Sequence, residues 1–207
     1  VQGLSLEAFQ HLLGRLSRIA AEVCEGQQFD MNFESRDDVK VEEYIEMIRL
    51  KTSVLIGFSM EMGALLAGQS QEIASELYQI GELVGLGFQL KDDILDVYGD
   101  PSKFGKKQGG DILANKKTYL LISAIQAAEG DLADQLDYWL SENNQETDKK
   151  VEAVTAIYNV LNIKEKAENE AKAYFDNALA KINSLNIAPE GKKLLNEFLS
   201  SLMVREV

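Results

Sequence analysis

Asp92, Asp93 and Asp96 stand in the run Phe88-Gln89-Leu90-Lys91-Asp92-Asp93-Ile94-Leu95-Asp96, inside the most apolar helical stretch of the chain. Helix positions three and four apart are neighbours, so the three carboxylates can share one side, with Gln89 a turn earlier on that same side. Such a cluster repels itself, and any burial adds desolvation, so a cation is expected beside it. Oxygen-only donors suit Mg²⁺, which keeps several waters and bridges carboxylates to phosphate oxygens. A solvated acidic helix face is the other reading of the same spacing. His11 is the only imidazole and Cys24 the only thiol, which argues against histidine-rich zinc or iron sites and against a Cys-built zinc site.

Lys103, Lys106, Lys107, Lys116 and Lys117 follow closely, with Asp111 the single acid among them. Beside the aspartates, these lysines suggest a polyanion held from two sides by metal and ammonium groups, and a diphosphate has the right size. Gly105, Gly109 and Gly110 would let backbone N–H groups approach phosphate oxygens. A solvated charged loop is the alternative, and the Gly-x-x-x-x-Gly-Lys-Ser/Thr order of a P-loop is absent. Lys51 and Thr52 add a weaker signal, a cation and a hydroxyl in a largely apolar stretch; snorkelling and helix back-bonding are their structural explanations.

Helices must carry these groups. Only two prolines interrupt 207 residues rich in Leu, Ile, Ala, Glu, Lys and Gln, which favours an all-α fold. Phe9, Leu12, Leu13, Leu16, Ile19, Ala20 and Val23 predict one buried stripe on a first helix from about Leu6 to about Gln28. A second helix is expected after Asp37 or Asp38, running through Val41, Tyr44, Ile48, Phe58 and Leu65 to a stop at Gly68. A third runs from the Ser70–Glu72 region to about Tyr98. Its Gly81, Gly85 and Gly87 each cost up to about 1 kcal/mol in helix propensity, so a neighbouring helix or a ligand is expected to approach closely there. Ser102 to Gly110 reads as a loop. Asp111 starts the next expected helix, through Tyr119 to Ala128, followed by Leu132 to Leu140, Lys149 to Leu161, Ile163 to Leu185 and a last helix after Pro189 ending near Met203.

Together the strings Gly26-Gln27-Gln28-Phe29-Asp30, Lys51-Thr52-Ser53, Phe88 to Asp96, and Gly105-Lys106 through Gly110-Asp111 to Lys116-Lys117-Thr118 resemble the trans-isoprenyl diphosphate synthases, the farnesyl and geranylgeranyl diphosphate synthase family. The resemblance implies an isoprenoid synthase-type helical bundle around a central cavity, usually a homodimer. It implies Mg²⁺-dependent head-to-tail condensation of an allylic diphosphate with isopentenyl diphosphate, giving a short-chain isoprenyl diphosphate. By this resemblance Asp92, Asp93 and Asp96 form the metal motif, Asp92 and Asp96 as ligands and Asp93 in support. Lys51, Lys106 and Lys116 hold the diphosphate, and Thr52 and Gln89 stabilise the allylic cation or orient the leaving group. Gln27 and Asp30 match a polar pair near the same helix ends, and Arg205 a residue that helps cover isopentenyl diphosphate. Asn115 stands where the family commonly has glycine.

The family also has a first aspartate-rich motif. Before Asp92 the only adjacent aspartates are Asp37-Asp38, which lack a third three positions on and read as a helix start. The chain is therefore expected to be the C-terminal part of a single polyprenyl synthetase domain, over residues 1–207, resembling only the C-terminal two-thirds of a family member. It is expected to be N-terminally incomplete and inactive on its own. A class I terpene cyclase is the related alternative, although its second metal motif would combine Asn or Asp with Ser/Thr and Glu. A non-catalytic partner subunit is the other, and loss of Asp92, Lys51 or Lys116 would have favoured it.

A net charge of −13 argues against nucleic-acid partners. That charge is uneven: Glu22 to Glu46 carries nine acids against two bases, while Lys103 to Lys117 reverses the sign, five bases to one acid. No apolar stretch approaches the roughly 20 residues of a membrane span, and no leader-like run is present. A cytoplasmic protein without stable membrane insertion is expected.

Overall fold

The computed structural model describes residues 6–100, 108–141 and 147–203, and every regular element among them is helical. In order these are α1 (Leu6–Phe33), α2 (Val41–Ile48), a π-helical turn (Arg49–Ser53), α3 (Val54–Leu66), α4 (Gln71–Tyr98), α5 (Gly110–Leu113), α6 (Tyr119–Ala127), α7 (Asp131–Leu140), α8 (Thr147–Val160), α9 (Ile163–Ser184) and α10 (Pro189–Met203). Among the described residues, no helix is long and apolar enough to cross a membrane.

α4 is the axis of the bundle, with α3 and α9 packed along it and the π-helical turn against it. Ser70 opens it as N-cap, its hydroxyl accepting from the N–H of Ile73 at 3.3 Å. Leu77, Ile80 and Val84 meet Phe175, Ile182, Leu185 and Leu199 in one core. Toward the C-terminal end, Leu90 and Ile94 join Tyr44, Leu120, Leu121, Tyr158 and Ile163 in a larger one. Each such side chain, fully buried, contributes about 1.5–3 kcal/mol. The glycines of α4 serve helix contact: a Cβ on Gly85 would lie 2.6 Å from Ser53 Cα.

Four sequence expectations change. The first helix continues past Gln28 to Phe33, because Phe29 and Phe33 extend its apolar face and stack with ring centroids 6.4 Å apart. Its predicted stripe is only partly buried: Ile19 is inaccessible, whereas Phe9, Leu13 and Leu16 are half exposed. With Leu12, Phe58, Met62 and Leu66 they line an open apolar groove of about 200 Å³. The second helix begins at Val41, where the Glu43 carboxylate accepts from the N–H of Lys40 at 3.0 Å, and it is broken by the π-helical turn before Gly68 ends it at φ +78°. Asp37 and Asp38 are spent in ion pairs outside it, with Lys117 and Arg36.

The helix expected from Asp111 to Ala128 is two. α5 stops at Leu113, Asn115 turns the chain at φ +51°, and Thr118 starts α6 with its hydroxyl accepting from Leu121 N–H at 3.3 Å. A threonine directly before the apolar run Tyr119-Leu120-Leu121-Ile122 was a readable cap signal.

Candidate active site

The end of α1, the π-helical turn, the last turns of α4 and the segment from Gly109 to Tyr119 converge. α1 presses onto the turn at Gly26, where a Cβ would lie 2.4 Å from Lys51 N. One turn later, Asp30 Oδ2 takes the Lys51 ammonium at 2.6 Å. Gln27, on the same helix, is exposed and lies outside this network. The π-helical turn widens the spacing of helical hydrogen bonds locally, a form that recurs at functional sites. It carries Thr52, whose hydroxyl donates to Gln89 Oε1 at 3.3 Å. Lys51, Thr52 and Gln89 are each partly buried.

The three aspartates divide. Asp92 and Asp96 are partly exposed, one helical turn apart, whereas Asp93 is 3% exposed. The Asp93 carboxylate accepts from the Tyr44 hydroxyl at 2.5 Å and from the Tyr119 N–H at 3.2 Å, tying α4 to α2 and to the start of α6. Burial pushes its pKa up to about 7, against the lowering effect of the Tyr44 hydrogen bond, while the nearby Asp111 charge adds to the rise. Tyr44 is itself held well above the ordinary phenol range, by burial first and then by Asp93. Asp96 pins the next segment: its Oδ2 accepts from Asp111 N–H at 3.0 Å and its carbonyl from Gly109 N–H at 2.7 Å.

Lys116 completes the arrangement. Its ammonium is 3.4 Å from Asp111 Oδ1. Burial alone would push its pKa down, but the charges of Asp111, Asp93 and Asp30 outweigh that and raise it. Lys51 and Lys116 therefore share Asp30 as a neighbouring charge, and Lys116 is also influenced by Asp93 of α4. Lys106 and Arg205 lie outside the described residues.

Among the described residues, no group of three or more His, Cys, Asp and Glu side chains is gathered as a metal site. The donors present fit Mg²⁺ in its usual mode, in which one or two carboxylates hold the ion and phosphate oxygens and water complete the shell. Asp92 and Asp96 are the candidates; Asp93, committed to Tyr44 and Tyr119, is their support. A cavity of about 520 Å³ shares Asn115 and Lys117 with the Lys116 segment, but none of the three aspartates lines it.

Tyr44, Asp111 and the Tyr119 N–H were not among the predicted site residues. Tyr44 reads as one more member of an apolar stripe, and nothing local announces its hydroxyl as a partner for a residue 49 positions away. Asp111 was visible as the lone acid in a basic stretch.

The sequence profile of the polyprenyl synthetase family matches residues 4–158. The chain belongs to the polyprenyl synthetase family. It is 35% identical to a geranylgeranyl diphosphate synthase of Methanosarcina mazei over 92% of the chain and 56% of that protein. It is 33% identical to a geranylfarnesyl diphosphate synthase of Aeropyrum pernix over 98% of the chain and 63% of that protein. A crystal structure of a geranylgeranyl pyrophosphate synthase superimposes with a TM-score of 0.91 at 44% identity, over 99% of this chain and 63% of its own. The chain thus spans between about half and two thirds of the length of these polyprenyl synthetases. The likeness, expected to be restricted to a C-terminal two-thirds in an N-terminally incomplete bundle, is found instead as similarity along nearly the whole of this chain. The family profile starts at residue 4, and the superposition takes in 99% of the residues. The all-helical isoprenoid synthase-type bundle stands.

Proposed function

We propose that the protein is a Mg²⁺-dependent prenyltransferase that joins an allylic diphosphate head-to-tail to isopentenyl diphosphate and releases a short-chain isoprenyl diphosphate. The observation that carries this reading is the shared charge of Asp30. It pairs with Lys51 and acts on Lys116, which Asp93 of α4 also influences, so two cations from distant parts of the sequence are drawn to one carboxylate, and Thr52 beside Lys51 bonds to Gln89 of α4. The relatives named above, geranylgeranyl and geranylfarnesyl diphosphate synthases, support the substrate class.

In this reading Asp92 and Asp96 hold Mg²⁺, which when bound neutralises diphosphate charge. Lys51 and Lys116 bind the diphosphate of the allylic substrate. When the allylic carbon–oxygen bond breaks, its electron pair leaves with the diphosphate, and both ammonium groups stabilise the charge that develops there. Thr52 and Gln89 present oxygen atoms beside the allylic cation. The π electrons of isopentenyl diphosphate form the new carbon–carbon bond, and the released diphosphate takes the proton lost from the adduct. Water must stay out, since it would quench the cation, and the apolar flank of α4 serves that end. Asp93 holds the motif in place through Tyr44 and Tyr119. Gln27, Lys106 and Arg205 are further contacts for the two diphosphates.

The half-exposed groove of α1 and α3 supports a homodimer, because Phe9, Leu13 and Leu16 are costly to leave in water. A cytoplasmic location completes the reading. Incubation of the purified full-length protein with Mg²⁺, dimethylallyl diphosphate and isopentenyl diphosphate should yield a prenyl diphosphate identifiable by mass. No consumption of isopentenyl diphosphate would overturn the proposal.

A further inference from the structure

Lys150 is a buried charge that this chemistry does not use. It is 5% exposed, in the first turn of α8, where the helix dipole disfavours a cation, and burial lowers its pKa. Among the described residues it has no carboxylate within ion-pair distance. Its ammonium donates instead to Asn115 Oδ1 at 2.5 Å. A cation kept in so unfavourable a place needs a compensating contact, and that contact is on the segment that carries Lys116.

Asn115 is fixed on three counts. Its backbone is left-handed, at φ +51°, a conformation asparagine tolerates better than other side chains that bear a Cβ. Its Nδ2 donates to the carbonyl of Leu140, at the end of α7, at 2.9 Å. Its Oδ1 receives Lys150. The amide side chain thus joins the end of α7 and the start of α8 to the residue before Lys116. α8 also grips the other end of the segment: Val151 packs so closely on Gly109 that a Cβ there would lie 2.5 Å from it. Directly after Asn115, Lys116 N–H donates to the Asp111 carbonyl at 3.0 Å and its own carbonyl accepts from Thr118 N–H at 2.8 Å.

We propose that Asn115 and Lys150 form a clamp that aims the Lys116 ammonium at the carboxylate face, and that both are positioning residues for diphosphate binding. The proposal rests on the reading of Lys116 as a diphosphate ligand. It also explains why a side chain is used at position 115: glycine would accept the same backbone angle but could not hold Lys150.

The test compares the wild-type protein with Asn115→Gly, Lys150→Met and the double variant, each checked for folding by circular dichroism. Calorimetry with inorganic pyrophosphate and Mg²⁺ should show about fivefold to twentyfold weaker binding in each single variant, the scale of one buried polar contact. The double variant should be no worse than the weaker single one. KM for dimethylallyl diphosphate should rise and kcat should fall with it, because Lys116 both binds the diphosphate and stabilises the charge that develops on it; a merely structural defect would lower the active fraction and leave KM in place. Asn115→Asp, which keeps an acceptor for Lys150, should recover most of the affinity. Wild-type pyrophosphate affinity in folded Asn115→Gly overturns the clamp, and that variant decides alone if Lys150→Met does not fold.

A second arm needs no substrate. Labelling of Lys116 by an amine reagent, followed by mass spectrometry, should quicken about threefold in Asn115→Gly as the ammonium is released. If the wild-type protein itself binds no pyrophosphate, the functional reading fails and labelling decides the clamp. Unchanged labelling then overturns it.

Discussion

Along its first half, α4 buries Leu77, Ile80 and Val84 and sets Gly85 against Ser53 of the π-helical turn. Along its last turns it places Asp92 and Asp96 partly in the open and buries Asp93 under two hydrogen bonds. The first region is held by shape, and its buried face carries only apolar residues and glycine. The second is held by directed bonds from Tyr44, Tyr119 and Asp111, because carboxylates gathered on one turn repel one another unless donors fix them. The contrast teaches that one helix can be rigid for two unrelated reasons. Damage to the first half should appear as lost stability, damage to the second as lost chemistry.

The largest effect belongs to Asp92→Ala. Prenyl transfer should fall by about a hundredfold or more, the scale of removing one group that stabilises developing charge, with little change in helicity. Steady-state rates and circular dichroism measure both; wild-type turnover would break the division between the two halves. Gly85→Ala is the converse. Its Cβ would sit 2.6 Å from Ser53 Cα, so the helices must part, at a cost of about 1–3 kcal/mol in a urea titration. Activity would suffer through the displaced Lys51 and Thr52, next to Ser53. An unchanged urea midpoint would show that the crossing is not tight.

Tyr44→Phe sharpens the comparison, since Tyr44 is buried in the larger core yet bonds to the motif. Asp93 keeps the Tyr119 N–H but loses the hydroxyl, so stability should fall by about 1–2 kcal/mol. If Asp93 supports Asp92 and Asp96, kcat should fall with it. A loss of stability with kcat intact would make Tyr44 a core residue only.

The helices were largely legible because a 3.6-residue period records which face is buried, and α4, α8, α9 and α10 fall within a few residues of their predicted limits. The π-helical turn was not legible: Arg49 to Ser53 continues the helical pattern, and the reason for the turn lies across the bundle at Gly26 and Gly85. Nor was the exposure of Phe9, Leu13 and Leu16, since apolar periodicity marks a face that wants covering without saying what covers it. In the site, spacing and chemistry put Asp92, Asp93 and Asp96 together on one side of a helix, and only the family resemblance set Asp93 apart as support. Spacing could not do so, because helix geometry permits three aspartates to share a side and it is Tyr44 and Tyr119 that draw one of them inward.

That inward turn has a consequence in pH. Burial holds the Asp93 pKa near about 7 in the folded chain, whereas an unfolded aspartate titrates at about 3.9. Between those values the folded state binds the extra proton, so stability falls as pH rises. The contribution is full below about pH 4 and is lost as pH passes through about 7. In protein free of metal and diphosphate, the urea midpoint should therefore drop between pH 5 and pH 8. Asp93→Asn removes the titrating group and should flatten that slope, while other titrations cancel in the comparison. Equal slopes in the two proteins would mean that the Tyr44 and Tyr119 hydrogen bonds outweigh desolvation and keep Asp93 ionised, which would place the buried aspartate on the same electrostatic footing as its exposed neighbours.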